Sequence, residues 1–144
     1  MCARILTLLE LDENSLQVVG SLTRSNHNVI ACNNFSDAID VLKYKKVALI
    51  ISDVHLENGG NVFDFLRWVK RNPLLRETQF VMFSSKPTLT AKYVEDGMRT
   101  SARILGAARY ITMYKFDSDE FRKQIDSLLP KATQALEQSS PLIQ

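Results

Sequence analysis

The sequence of 144 residues is poor in cysteine and contains no long apolar run. Its two cysteines, Cys2 and Cys32, form no C-x-x-C pair and are too few for a disulfide framework or a four-ligand zinc site. The longest purely aliphatic run, residues 47–51, is far shorter than the ~20 residues that span a bilayer. Arg4 and Glu10 interrupt the N-terminal segment, so no signal peptide is apparent. These absences predict a soluble, cytoplasmic protein without a membrane partner.

The sequence also lacks a strong excess of either charge. Its 18 Lys and Arg residues against 16 Asp and Glu residues give a net charge of +2, which does not by itself indicate nucleic acid binding. One basic cluster, formed by Arg67, Lys70, Arg71 and Arg76, is accompanied by a single Trp and by no glycine-rich or aromatic platform. We interpret this cluster as a solvated helix face, and we expect no direct nucleic acid partner.

The length and the 45% hydrophobic content are typical of one globular domain, and short apolar runs alternate with longer amphipathic stretches. Leu16, Val19 and Leu22 recur every three positions, which indicates a helix after the first apolar run. We predict a domain over residues 1–130 and a short C-terminal tail over residues 131–144. The predicted strands are residues 5–9, 29–32, 47–51, 80–83 and 110–112. The predicted helices follow them at residues 14–24, 36–42, 62–69, 89–105 and 121–129.

Local signals mark the ends of several predicted helices. Ser36 is a candidate N-cap, and Gly106 fits the position after the C-terminus of the fourth helix. Asp117, with Glu120 three residues later, has the spacing of a capping box before the last helix. Gly97 lies inside the fourth helix and weakens the prediction that this helix is continuous.

Five strands that alternate with five helices predict βαβ units and a parallel sheet covered on both faces. This is the doubly wound α/β class, and its common five-stranded order is 2-1-3-4-5. In such a sheet the topological switch lies between strands 1 and 3, and ligands bind outside the carboxyl ends of the strands. The sequence therefore predicts a functional site among the residues that directly follow the strands.

Polar side chains follow four of these strands. Glu10 and Asp12 follow strand 1, Asp53 follows strand 3, Ser84 follows strand 4, and Lys115 lies shortly after strand 5. Carboxylates completed by waters and phosphate oxygens are ligands that Mg²⁺ prefers. A carboxylate beside such a metal can act as a nucleophile and form an aspartyl phosphate, because the ion offsets the repulsion of the phosphoryl group.

Four segments resemble the receiver domain of two-component response regulators, in the order of that family and over roughly residues 3 to 130. Residues 5–10 resemble its first strand and acidic pair, and residues 49–56 resemble the strand that ends in the phosphoacceptor aspartate. Residues 83–85 resemble the strand that ends in Thr/Ser-Ala, and residues 106–112 resemble its Gly-Ala-x-x-Tyr segment. The resemblance implies the flavodoxin-like fold of chemotaxis-type, single-domain receivers.

The resemblance also implies roles for individual residues. Asp53 would be the phosphoacceptor, and it would hold Mg²⁺ together with Glu10 and the backbone carbonyl of His55. Ser84 would hydrogen-bond the phosphoryl group, and Tyr110 would be the aromatic switch residue. The expected partners are a sensor histidine kinase or phosphotransfer protein upstream and a protein partner downstream, with a homodimer also open.

The sequence departs from the family pattern at two of the expected charged positions. Leu11 occupies the place of the second acid, for which Asp12 would substitute only if the loop shifts by one residue. Met113 occupies the place of the family's lysine, for which Lys115 would substitute only through a bulge. A lost charge-assisted hydrogen bond is worth about 1.5–3 kcal/mol. These departures predict a degenerate phosphorylation site.

Two functions therefore remain open. The first is a phosphorylatable receiver in a phosphorelay, with no enzymatic activity beyond phosphoryl acceptance and autodephosphorylation on Asp53. The second is a phosphorylation-independent pseudo-receiver that acts as a protein-interaction module. A flavin- or nucleotide-binding enzyme is disfavoured, because residues 9–14 offer three carboxylates where backbone donors for a phosphate are needed. The retained Asp53, Ser84 and Tyr110 favour the receiver.

Overall fold

In the computed structural model, which describes residues 3–9, 13–54, 61–84, 89–113 and 115–129, strands and helices alternate along the chain. The strands are β1 (Arg4–Leu8), β2 (Asn28–Cys32), β3 (Leu49–Asp53), β4 (Gln79–Ser84) and β5 (Arg109–Thr112). The helices are α1 (Glu13–Arg24), α2 (Phe35–Tyr44), α3 (Val62–Arg71), α4 (Leu89–Ile104) and α5 (Ser118–Leu128), with a 3₁₀ turn (Pro73–Leu75) after α3. The predicted tail at residues 131–144 lies outside the described residues.

The five strands form one parallel sheet in the order β2-β1-β3-β4-β5, which confirms the predicted doubly wound topology. The register pairs Leu8 with Ser52, Asp53 with Phe83, and Ser84 with Thr112. Because β3 lies between β1 and β4, its residues are buried on both faces until the strand ends at the half-buried Asp53. The central strand therefore delivers a carboxylate to the carboxyl edge of the sheet.

Apolar side chains fill a layer on each face of the sheet. Helices α2 and α3 cover one face, and α1 and α5 cover the other. No helix among the described residues is long and apolar enough to cross a membrane. Core side chains of the first layer include Leu6, Ile50, Phe65 and Phe80, and those of the second include Ile5, Ile51, Phe83 and Phe121.

Helix α1 forms as predicted, but not every residue of its apolar repeat is buried. Leu16 is 70% exposed, whereas Val18 and Leu22 are buried. The buried side of α1 includes the small residue Ser21, and the Ser21 and Ser118 hydroxyl oxygens of α1 and α5 lie 3.3 Å apart. A count of large apolar residues could not reveal a contact made through serines.

The predicted N-cap of the second helix is also wrong. Asn34, rather than Ser36, caps α2, and its side-chain oxygen accepts a hydrogen bond from the Asp37 backbone N–H at 2.8 Å. Asn and Ser are caps of similar strength, so the local sequence does not separate them. Tertiary packing favours the earlier start, because the Phe35 ring is buried in the first turn, 5.1 Å from the Phe65 ring.

Other helix signals are confirmed. Gly106 has φ +106°, and a Cβ at this position would also lie 3.1 Å from the Lys70 side chain. The Asp117 side chain accepts a hydrogen bond from the Glu120 backbone N–H at 3.1 Å and caps α5. Helix α4 continues through Gly97 without interruption.

The third strand lies two residues later than predicted. It runs from Leu49 to Asp53 instead of over residues 47–51. Val47 is buried before the strand begins, and its carbonyl accepts a hydrogen bond from the buried Thr78 hydroxyl at 2.7 Å. As a result, Asp53 is the last residue of the strand, and the backbone ladder holds it in place.

Candidate functional site

The site begins where the two inner strands β3 and β4 end. Asp53 is the half-buried last residue of β3, and its partner in the register is Phe83. Ser84 lies one residue further along β4 and is 5% exposed. The next backbone N–H, that of Val54, donates to the Phe83 carbonyl at 3.3 Å and continues the ladder past Asp53. Neighbouring strands lie about 4.8 Å apart, so the structure brings Asp53 and Ser84 to the same edge.

Packing below the carboxylate fixes its backbone. Ser52 is fully buried, and its hydroxyl donates to the Asp53 carbonyl oxygen at 3.1 Å. Ile51, the residue before it, is also fully buried. The backbone that carries the Asp53 carboxylate is therefore held in place by a buried strand, and sites on such rigid elements are positioned more precisely than sites on loops.

The remaining predicted metal residues, Glu10, Asp12 and the backbone carbonyl of His55, lie outside the described residues, as does Leu11. Within the described ranges, no three His, Cys, Asp or Glu side chains come together as a metal site. Asp53 alone therefore represents the predicted ligand set here. A carboxylate at the end of a strand is the donor type that suits Mg²⁺.

The exit of β5 has a different character. Met113 is 8% exposed and packs in the apolar layer that contains Phe121 and Leu129. Its backbone N–H donates to the Ser84 carbonyl at 3.0 Å, which extends the ladder between β4 and β5. Lys115 is exposed two residues later. The position at which the resemblance expects the family's lysine thus carries a buried apolar side chain, and a role for Lys115 stays a prediction.

Tyr110 lies between Ser84 and helix α4. The phenol is half-buried, and burial raises its pKa, with a further increase from the nearby Glu95 carboxylate. The Arg99 guanidinium, 4.8 Å from the ring centroid, and a side-chain hydrogen bond with Ser84 lower the pKa of Tyr110 in part. The predicted switch residue therefore contacts the predicted phosphoryl-binding hydroxyl.

A polar group that the sequence analysis missed connects α4 to β5, and we call Glu95, Arg99 and Thr112 the α4–β5 cluster. Arg99 pairs with the Glu95 carboxylate at 3.3 Å and donates to the Tyr110 carbonyl at 3.1 Å and to the Thr112 hydroxyl at 3.3 Å. The Thr112 hydroxyl also donates to Glu95. The spacing of four residues between Glu95 and Arg99 is the signal that could have revealed this pair.

Comparisons with known proteins were made for the sequence and for the fold. No protein-family model matches the sequence, and no curated protein matches it either. Solved structures of receiver domains do match the fold. A response regulator of Chloroflexus aurantiacus superimposes with a TM-score of 0.74 at 15% identity, covering 89% of this chain and 98% of its own.

Two further solved structures superimpose on this fold to a similar extent. The chemotaxis response regulator CheY4 of Vibrio cholerae has a TM-score of 0.73 at 18% identity over 90% of this chain and 100% of its own. The receiver domain of a Pseudomonas aeruginosa sensor histidine kinase, described with a magnesium ion in its active-site cleft, has a TM-score of 0.72 at 13% identity, covering 89% and 98% of the two chains. The topology, the strand register and these superpositions together establish that the chain has the fold of response-regulator receiver domains.

Proposed function

We propose that this chain accepts a phosphoryl group on Asp53 in a phosphorelay and passes the signal to a partner protein. The observation that carries this proposal is the placement of Asp53 as the last residue of the central strand, with Ser84 on the adjacent strand at the same edge. The match to solved receiver domains supports it. The phosphoryl donor would be a sensor histidine kinase or a phosphotransfer protein.

The chemistry is an in-line transfer between nitrogen and oxygen. A carboxylate oxygen of Asp53 forms a bond to phosphorus while the N–P bond of a donor phosphohistidine breaks, and the electron pair stays on the imidazole nitrogen. Ser84 donates a hydrogen bond to a phosphoryl oxygen. Mg²⁺ would be held by Asp53, Glu10 and the backbone carbonyl of His55, with Asp12 as a substitute for the second acid. The ion would supply positive charge that offsets the negative charge of the phosphoryl oxygens.

The signal would leave the site through Tyr110. Ser84 and Tyr110 lie on the neighbouring strands β4 and β5, and Ser84 is among the groups that lower the pKa of the phenol, so a phosphoryl group that engages Ser84 would change the surroundings of Tyr110. Arg99 lies over the Tyr110 ring and is paired with Glu95 on α4. A change at Ser84 would therefore reach the surface formed by α4 and β5, where a downstream protein would read it.

A second candidate, the phosphorylation-independent pseudo-receiver, is favoured by one observation. Met113 fills the place of the family's lysine with an apolar, buried side chain, and Lys115 is exposed beyond it. Without an ammonium there, one phosphoryl oxygen lacks a charge-assisted hydrogen bond. The two candidates differ in whether Asp53 takes up a phosphoryl group at all.

The test is the intact mass of the full chain after incubation with acetyl phosphate and Mg²⁺. The proposal predicts an adduct of one phosphoryl group that is absent from Asp53→Asn and retained in Asp40→Asn, a matched change on the exposed side of α2. Ser84→Ala should reduce the adduct by about tenfold, because a hydrogen bond to a charged group is lost. No adduct on the wild type would favour the pseudo-receiver. An equal adduct on Asp53→Asn would mean that another residue takes up the phosphoryl group, which contradicts the role given to Asp53.

A further inference from the structure

A groove lies at the amino edge of the sheet, opposite Asp53, between the C-terminus of α2 and the 3₁₀ turn. It encloses about 360 Å³. Two of its walls are Tyr44 and Leu74, which are 86% and 70% exposed and belong to the four most exposed large apolar side chains among the described residues. Exposed apolar side chains that gather around one concavity are typical of an interaction site rather than of a random surface.

The groove is built on fixed backbone. The Asn72 side chain accepts a hydrogen bond from the Leu74 backbone N–H at 3.0 Å, and Pro73 restricts the turn between them. The floor consists of Leu42 and Leu75, which are 2% and 1% exposed. Leu74 is therefore held outward by an ordered turn above a packed floor, so its exposure is a fixed feature of the surface.

The two walls are also held to each other. The Lys45 backbone N–H donates to the Val41 carbonyl at 2.8 Å and closes the end of α2. The buried hydrogen bond from the Thr78 hydroxyl to the Val47 carbonyl, 2.7 Å long, joins the segment after the 3₁₀ turn to the segment after α2. A preformed groove loses less conformational entropy on binding than a mobile one.

The charged side chains that line the groove are all basic. Lys43, Lys45 and Lys46 line it, and among the described residues none of its lining side chains is acidic. Lys46 lies 3.7 Å from Glu77, but both side chains are largely exposed and such pairs are weak. Neither Lys43 nor Lys45 makes an ion pair within the described part of the chain. The groove thus combines an apolar centre with a positive rim.

We propose that this groove, the α2–3₁₀ groove, binds an acidic segment of a partner protein that inserts one apolar side chain between Tyr44 and Leu74. The lysines complement the acidic flanks, and the apolar walls take the anchor residue. A single-stranded nucleic acid fits less well, because base stacking needs successive aromatic platforms and, among the described residues, only Tyr44 lines the groove with an aromatic ring.

The inference goes beyond phosphoryl acceptance, because the groove and Asp53 lie at opposite ends of the sheet. Strand β3 is five residues long, so roughly 16 Å of buried strand separates its two ends. Binding should therefore be the same for the wild type and for Asp53→Asn. This equality makes the docking site testable even if Asp53 takes up no phosphoryl group.

The experiment uses a fluorescent synthetic peptide with a central Leu-Phe pair flanked on both sides by Asp and Glu, titrated with the full chain. Leu74→Ser should weaken binding about tenfold, because part of a leucine contact is lost. Leu16→Ser is the matched control, since Leu16 is equally exposed at 70% but lies on α1. This control should bind as the wild type does.

The charge requirement is tested separately. The double variant Lys43→Gln, Lys45→Gln should bind the acidic peptide severalfold more weakly, and its affinity should depend less on the salt concentration. A second peptide, in which Asn and Gln replace the Asp and Glu residues, should not bind the wild type. The proposal is overturned if the peptide does not bind, or if Leu74→Ser and Leu16→Ser behave alike. Tighter binding of an oligothymidylate or of anionic phosphatidylserine vesicles than of the peptide would also overturn it.

Discussion

The exits of β4 and β5, two neighbouring strands, carry opposite chemistry. At β4 a buried hydroxyl, Ser84, lies beside the Asp53 carboxylate and contacts Tyr110. At β5 the chain instead places Met113 in the apolar layer with Phe121. The same edge of the sheet thus has a polar half at β4 and an apolar half at β5. A methionine just after β5 can extend the core beneath it, because its flexible side chain packs readily among apolar neighbours.

The largest expected effect tests whether the β5 exit is a packed core. The fully buried Phe121 ring lies 5.8 Å from Phe83, edge to face, and 5.3 Å from the half-buried Phe116. Phe121→Ala should lower the free energy of unfolding by about 3–5 kcal/mol, because it removes a buried ring and leaves a cavity. Urea denaturation measures the change. A loss no larger than that of Phe116→Ala would show that this exit is not tightly packed.

A lysine at position 113 would place a cation just after β5, so that the ends of both β4 and β5 would carry polar groups. Met113→Lys should raise the rate of phosphoryl uptake from acetyl phosphate about tenfold, because a charge-assisted hydrogen bond becomes available to the phosphoryl group. The long aliphatic part of the lysine side chain can stay in the apolar layer while its ammonium group reaches the carboxyl edge of the sheet. Met113→Leu keeps the volume without the charge and should leave the rate unchanged. Equal rates for both variants would mean that charge at this exit does not limit the reaction.

The third prediction concerns how much the α4–β5 cluster contributes to the stability of the protein. Arg99→Met removes the contacts to Glu95, Thr112 and the Tyr110 carbonyl and should cost about 1 kcal/mol, since the guanidinium is partly exposed. The pKa of Tyr110 should rise further, because Arg99 lowers it. Thermal unfolding and an ultraviolet titration of the phenol measure the two effects.

The matched control for that change is Arg122→Met. Arg122 pairs with Asp119 at 3.2 Å on α5, with both side chains more than half exposed. This variant should change stability by less and should leave the Tyr110 titration as it is in the wild type. An equal response of the phenol to both arginine variants would contradict the role given to the α4–β5 cluster.

The smallest expected effect is a dependence of stability on alkaline pH. Burial raises the pKa of Tyr110 above its ordinary value of 10.0, so the unfolded chain releases this proton first. Stability should therefore fall as the pH rises from about 10 through the higher pKa of the folded state. Tyr110→Phe should flatten this part of the profile, and Tyr44→Phe, at an exposed position, should not. A Tyr110→Phe profile identical to that of the wild type would disprove the shift.

Much of the fold could be predicted from the sequence, because alternating apolar runs and amphipathic stretches determine a doubly wound sheet. The strand order follows from the common order of that class, and the caps at Gly106 and Asp117 follow from local chemistry. The errors arose where tertiary contacts outweigh local preference. The N-cap of α2 lies two residues earlier than predicted, where Phe35 packs on Phe65, and Leu16 is exposed whereas Ser21 of the same helix is buried against α5.

The candidate site, like the fold, could be predicted from the sequence only in part. The placement of Asp53 and Ser84 at one edge could be predicted, since residues that follow parallel strands meet there. The α4–β5 cluster could not, because its members come from a helix and a strand whose relative rotation no local pattern specifies. The depth of Met113 also depends on the register of β5 against β4, which only the assembled sheet determines.

The most direct test of the central claim is the position of the phosphoryl group on the chain. Treatment of the chain with acetyl phosphate and Mg²⁺, followed by borohydride, reduces an aspartyl phosphate to homoserine, which peptide mass spectrometry locates. Phosphoryl transfer to Asp53 predicts homoserine at position 53 alone, in the strand-terminal segment beside Ser84. Homoserine at another acidic position, or at none, would contradict it.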